Sequence, residues 1–116
     1  MAKYKNKKYK GYDSIREYNR SNVLKLMEKQ GLISNLQEQV KYELIPAQYE
    51  YFQVQGVRKL LNKKKLVERS VCYYADFQYI QNGELVVEDS KGVRTKEYII
   101  KRKLMRPVHG AKIKEV

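Results

Sequence analysis

The dipeptide Asn82-Gly83 limits the fold of this chain more than any other feature. It separates two strand-like runs, residues 66–79 and 84–90, and Asn-Gly is the strongest two-residue signal for a tight β-hairpin. With Asn82-Gly83 as the loop, Gln81 faces Glu84. The pairing then counts back through Ile80 with Leu85 and Gln78 with Val87 to Asp76 with Asp89. Two carboxylates are expected directly opposite each other. Lys91, two residues past Asp89, falls on the same face because side chains alternate along a strand.

Directly opposed residues hold their Cβ atoms about 4.5–5.5 Å apart, where like charges destabilise a hairpin. A divalent cation removes that conflict. Two carboxylates with water and a substrate phosphate form a hard-oxygen site suited to Mg²⁺, and Lys91 adds a mobile positive charge beside it. The same residues also read as an ordinary exposed Asp pair with Lys91 as a solvated counter-ion. The register, and so the choice, depends on the turn.

Composition excludes several chemistries. The 116 residues, 33% charged and 42% apolar, suit one soluble globular domain. No apolar run reaches the roughly 18 residues of a membrane span, and the basic N-terminus lacks the apolar segment of a secretion signal, so a cytoplasmic location is expected. Cys72 is the single cysteine, which excludes an internal disulfide, and its strand setting predicts a buried thiol. His109 is the single histidine, leaving no Cys/His set for zinc and no Ser-His or Cys-His couple. Any catalysis must use carboxylates, lysine and metal, with no organic cofactor.

The formal charge of +12 points to a polyanionic partner. Lys3, Lys5, Lys7, Lys8 and Lys10 alternate with Tyr4 and Tyr9 in a segment too polar to pack. Residues 1–12 therefore read as a flexible arm that tracks a sugar-phosphate backbone, its tyrosines able to stack on bases. Arg94 and Lys96 are further candidate phosphate contacts. A second cluster, Arg58-Lys59 and Lys63-Lys64-Lys65, reads equally as a solvated loop.

The elements follow from local signals. A helix starts at Asp13-Ser14, where Ser14-x-x-Glu17 matches a capping box, and stops at Gly31. Ile15, Tyr18, Val23, Leu24, Leu26 and Met27 form its expected inward stripe. Val40, Tyr42 and Leu44 alternate with Lys41 and Glu43 in a half-buried strand ending at Pro46. Residues 47–65 read as a long basic loop, with or without a short helix around 57–62. A second helix covers residues 95–105 and ends at Arg106-Pro107, and residues 111–116 form a last strand. The order αβββαβ predicts an α/β fold, a mixed sheet flanked by helices, in a single domain over 13–116.

That topology and the Asp…Asp-x-Lys pattern resemble the PD-(D/E)XK nuclease superfamily. Nearly the whole chain is similar to small phage-encoded endonucleases of that superfamily, of the Holliday-junction-resolvase kind. The segments that carry the likeness are Ser14-Ile15-Arg16-Glu17, Tyr42-Glu43-Leu44-Ile45-Pro46, Tyr74-Ala75-Asp76-Phe77, Val87-Glu88-Asp89-Ser90-Lys91-Gly92 and Tyr98-Ile99-Ile100-Lys101-Arg102-Lys103. Ala75 stands where the superfamily's namesake pattern has proline.

The resemblance implies a restriction-endonuclease-like core and metal-dependent hydrolysis of DNA phosphodiester bonds, leaving 5′-phosphate and 3′-hydroxyl ends. Asp76 and Asp89 would bind Mg²⁺, with Mn²⁺ able to substitute, and Lys91 would orient the attacking water. Glu17 matches an additional acid that many such nucleases bring to the site, although bonding back to the Ser14 amide is a sufficient structural role for it. Glu88 points to the opposite face and reads as structural or surface-exposed. Branched DNA is the implied substrate and a homodimer an implied assembly, in a host cytoplasm if the chain is phage-encoded. A nicking or recombination nuclease without junction preference, and a non-catalytic nucleic-acid-binding protein, remain as other readings.

Overall fold

The chain reverses at Asn82-Gly83 as the dipeptide requires. Both residues adopt positive φ, 53° and 79°, the pair of left-handed conformations that defines a type I′ hairpin turn. The structure, a computed structural model, describes residues 9–12, 14–90 and 93–116. Its elements run α1 (Ile15–Lys29), β1 (Ser34–Ile45), β2 (Gln48–Gln55), β3 (Leu60–Glu68), β4 (Val71–Gln81), β5 (Glu84–Asp89), α2 (Lys96–His109) and β6 (Ile113–Glu115). A four-stranded sheet has the order β1-β4-β5-β6, and β2 and β3 pair separately. All neighbours are antiparallel except β5 and β6, which are parallel. The fold is thus α+β with a mixed sheet and two flanking helices. Set the β2–β3 ribbon aside and the order is αβββαβ.

Residues 48–68 depart most from the sequence expectation. They form neither a loop nor a helix but a two-stranded ribbon, and the single strand expected over 66–79 is split at Arg69-Ser70. The ribbon continues the β1–β4 ladder: Ile45 pairs with Val71, and beyond the break at Pro46, Gln48 pairs with Glu68. Pro46 cannot donate to a ladder, so it interrupts β1 without turning the chain away.

Burial alternates along β4, where Tyr73, Ala75, Phe77 and Tyr79 are all buried. Tyr73 and Ala75 join Leu44, Val87, Tyr98, Met105 and Ile113 in a cluster beneath α2. Phe77 and Tyr79 join Leu24 and Ile33 in a second cluster beneath α1. Asp76 sits in the strand between the two.

Both helices start as their sequences dictate. Ser14 Oγ accepts from Glu17 N at 3.1 Å, and Thr95 Oγ1 accepts from Tyr98 N at 3.1 Å. α1 ends in a Schellman motif, Leu32 N to Met27 O and Gly31 N to Glu28 O, with Gly31 at φ 78°.

Two expectations about the helices are corrected. The buried face of α1 is Glu17, Ser21 and Leu24, spaced i, i+4, i+7, whereas Ile15, Val23 and Leu26 are exposed. α2 runs through Pro107 to His109 and stops at Gly110 in the left-handed conformation. Fully buried Met105 anchors that last turn, Gly110 N bonds Arg106 O at 2.8 Å, and His109 Nε2 lies 2.6 Å from Glu43 O on β1. These contacts outweigh the proline's missing N–H so close to the helix end. Cys72 is half-buried, not buried, with Sγ 3.6 Å from Ser70 Oγ. No helix among the described residues is long and apolar enough to cross a membrane.

Candidate functional site

The turn sets the register that sequence counting gave: Gln81 with Glu84, Ile80 with Leu85, Gln78 with Val87, Phe77 with Glu88. One step further along the strands stand Asp76 and Asp89. Asp76 Oδ2 accepts from Ser90 N at 2.9 Å, a bond across the end of the hairpin. The Asp89 and Glu17 carboxyls lie close enough to act on the charge of Asp76. Burial is the largest influence on Asp76, and with the Glu17 contact it raises the Asp76 pKa to about 6 against the pull of Asp89 and the Ser90 amide.

The neighbours of this trio are buried and polar. Asp89 is fully buried and accepts from Tyr73 Oη. Burial, then that bond, holds the Tyr73 phenol far above its ordinary range. Glu17, 3% exposed, accepts from Gln39 Nε2 at 3.1 Å. The capping bond at the start of α1 is made by Ser14, and the Glu17 carboxyl reaches Gln39 and Asp76. Gln39 adopts φ 53°, a conformation uncommon outside glycine. Glu17 and Gln39, with Gly11, Tyr12 and Glu38, line an open cleft of about 480 Å³, within the size range of ligand sites. A polar chain borders it: Lys25 Nζ to Tyr12 Oη at 3.0 Å, Tyr12 Oη to Ser21 Oγ at 2.9 Å, and Ser21 Oγ to Glu38 Oε1 at 2.8 Å.

Glu88 has a different occupation. It is buried and takes a two-pronged ion pair from Arg20, Nε to Oε1 at 2.8 Å and Nη2 to Oε2 at 2.7 Å, and it also accepts from Tyr79 Oη. Burial, then this carboxylate, pushes the Tyr79 phenol up to about 12. The structural half of the expectation for Glu88 holds, and surface exposure does not. Its role is to tie α1 to β5.

The seven basic residues expected to contact nucleic acid fare unequally. Lys3, Lys5, Lys7 and Lys8, like Lys91, the lysine expected at the site, lie outside the described residues. Lys10 stands 5.2 Å from the centroid of the Tyr18 ring. Residues 9–12 form a turn, Tyr9 N to Tyr12 O at 2.7 Å, whose two tyrosines pack edge-on against Tyr18. The end of the expected arm is thus docked on α1, and Tyr9 is engaged there. Arg94 pairs with Glu115 at 3.0 Å, and Lys96 is exposed at the start of α2.

Sequence reading missed Tyr73, Gln39 and Arg20. A signal for Arg20 existed in the polar residues Glu17, Arg20 and Ser21 lying with Leu24 on one helical face. No local pattern marks Tyr73 or Gln39.

A family model described as "Protein of unknown function (DUF1064)" matches residues 1–114. The chain belongs to the DUF1064 family. No curated protein and no solved structure matches it. Among the described residues of this DUF1064 protein, no group of three or more His, Cys, Asp or Glu is arranged to hold a metal ion. The donor chemistry at Asp76 and Asp89 nevertheless fits a hard divalent cation. Burial first, then Glu17, raises the Asp76 pKa, and a cation at this carboxyl would favour its ionised form in place of the proton. Mg²⁺ also needs only one or two protein carboxylates, the rest of its shell being water and phosphate.

Proposed function

We propose that this DUF1064 protein is a Mg²⁺-dependent endonuclease that hydrolyses DNA phosphodiester bonds, selective for branched duplexes such as Holliday junctions and forks. The observation that carries this reading is Asp76 and Asp89 one step beyond the last β4–β5 pair, with Ser90 N bonded to Asp76 Oδ2 and Glu17 acting on Asp76, in a chain of charge +12. The element order of the four-stranded sheet and its helices supports the resemblance to PD-(D/E)XK nucleases. The positive charge would act on backbone phosphates more than on base edges, so substrate choice would rest on backbone geometry.

Asp76 and Asp89 would hold the cation. Once bound, Mg²⁺ supplies polarisation of the scissile phosphate and a more acidic coordinated water. Asp76 must be ionised to serve as a ligand, so activity should rise as pH climbs through about 6. Glu17, which accepts from Gln39, would stand beside Asp76 as the additional acid of the site. By resemblance, Lys91 positions the attacking water as a compact point charge.

The test is cleavage of labelled four-way junctions, forks and linear duplex with Mg²⁺, Mn²⁺ or chelator. Metal-dependent cutting of branched substrates, abolished in a folded Asp89→Asn variant, is the expected result. Cleavage by that variant at the wild-type rate would overturn the assignment. The full burial of Asp89 against Tyr73 favours a second reading, a non-catalytic nucleic-acid-binding protein. Binding without cutting under every metal condition would select it.

A further inference from the structure

The β2–β3 ribbon touches no other element beyond glancing contact, and every residue of both strands is exposed. It accounts for much of a molecule 65 Å long but only 39 Å and 26 Å across. A lone two-stranded hairpin is marginal in water and needs further strands or a packed face. This one carries Tyr49, Tyr51, Phe52, Val54, Leu61 and Leu66 in the open.

Its two edges are unlike. β3 contains Lys63-Lys64-Lys65, the charge placement that keeps an edge from pairing with another chain. β2, Gln48-Tyr49-Glu50-Tyr51-Phe52-Gln53-Val54-Gln55, has no lysine, arginine or proline. From Tyr49 to Gln55 its register is unbroken and no residue has positive φ. β1, one of the two edge strands of the main sheet, by contrast carries two register shifts and positive φ at Asn35 and Gln39, irregularities that blunt an edge. β2 is a regular, uncharged-to-acidic edge with aromatic residues on both faces.

We infer that β2 pairs antiparallel with β2 of a second copy of this chain, giving a four-stranded ribbon sheet in the order β3-β2-β2-β3. A two-fold axis perpendicular to that sheet sets a central residue against its own copy, and the centre of β2 is Tyr51-Phe52. Cross-strand partners within the ribbon put Tyr49 beside Leu66 and Val54 beside Leu61. Pairing of the two copies would set Tyr51 and Phe52 of one strand against the centre of the other, with Lys64 and Lys63 beside them on β3. The lysine rows end on the outer edges, three strand spacings or about 14 Å apart. That exceeds the Debye length of about 8 Å at physiological salt, so their repulsion is largely screened. The pairing stands whether or not the carboxylate site cuts DNA.

The experiment is sedimentation and light scattering on the nuclease-treated full chain, free of nucleic acid, over a concentration series. The expected mass is twice 13.9 kDa. A Tyr51→Lys/Phe52→Lys variant with unchanged far-UV circular dichroism should dissociate at least tenfold more readily. In a Cys72→Ser background, Tyr51→Cys or Phe52→Cys should form an interchain disulfide on mild oxidation. A wild-type chain that stays at 13.9 kDa throughout overturns the inference. So does a lysine variant that associates as tightly as wild type, or failure of both cysteines to cross-link. A monomer whose DNA affinity collapses when Lys63, Lys64 and Lys65 become Ala would mark the ribbon as a nucleic-acid grip instead, and equally overturns it.

Discussion

Replacing Asp76 with Asn should make this protein more stable, and the gain should depend on pH. The folded state holds the Asp76 proton until about pH 6, whereas an ordinary aspartate releases it near 3.8. Folding therefore takes up a proton between those values, and the associated stability is fully present below about 3.8 and lost as pH rises through about 6. At 1.36 kcal/mol per pKa unit the cost grows from about 0.5 kcal/mol at pH 4 to about 3 kcal/mol at pH 7.5. The latter is an upper figure, because Asp76 is only half-buried and solvent screens part of it. The substituted amide cannot ionise, keeps an acceptor for the Ser90 N–H and offers Glu17 a donor. Thermal and urea unfolding of both proteins at pH 4 and 7.5 should show a stabilisation of ~1–3 kcal/mol that develops between the two pH values. At about 4 °C per kcal/mol the difference is readily measured. Mg²⁺ should narrow the gap at pH 7.5 by stabilising only the wild type, by RT ln(1 + [Mg²⁺]/Kd). A variant destabilised equally at both pH values would refute the account of a strained, partly protonated cluster.

Three further outcomes are expected. Arg20→Met leaves the buried Glu88 carboxylate without its ion pair and should cost ~3–5 kcal/mol in urea unfolding, with substantial recovery in Arg20→Met/Glu88→Leu; a loss under about 1 kcal/mol would mean that Tyr79 suffices. Asn82→Ala forces alanine to φ 53° and should lower stability by ~1 kcal/mol, whereas Asn82→Gly should be nearly neutral, both read from thermal melts. Deleting residues 1–8 should flatten the salt dependence of DNA affinity by up to ~0.9 in log–log slope for each phosphate that Lys3, Lys5, Lys7 or Lys8 contacts, measured by anisotropy. An unchanged slope removes the arm from binding.

Much of the site was legible because its geometry descends from one turn. Asn-Gly admits positive φ at both positions, the type I′ turn sets the register, and the period of two carries it back to Asp76 and Asp89. Glu17 could be named but not assigned. A capping box and a site acid have the same sequence signature, and only the packing of α1 decides where the carboxyl goes. The ribbon was hidden for a related reason. A strand exposed on both faces buries neither, so it has no alternation to detect, and three consecutive lysines look like a loop.

The sequence by itself determined the hairpin, its register, the N-cap of α1 and the excess of positive charge, since each rests on a few adjacent residues or on a sum over the chain. Tertiary structure decided that α1 turns Glu17, Ser21 and Leu24 inward, that α2 continues past Pro107, and that Asp76 holds its proton to about pH 6. Those outcomes are set by desolvation and by contacts among residues tens of positions apart, and no local rule adds them up.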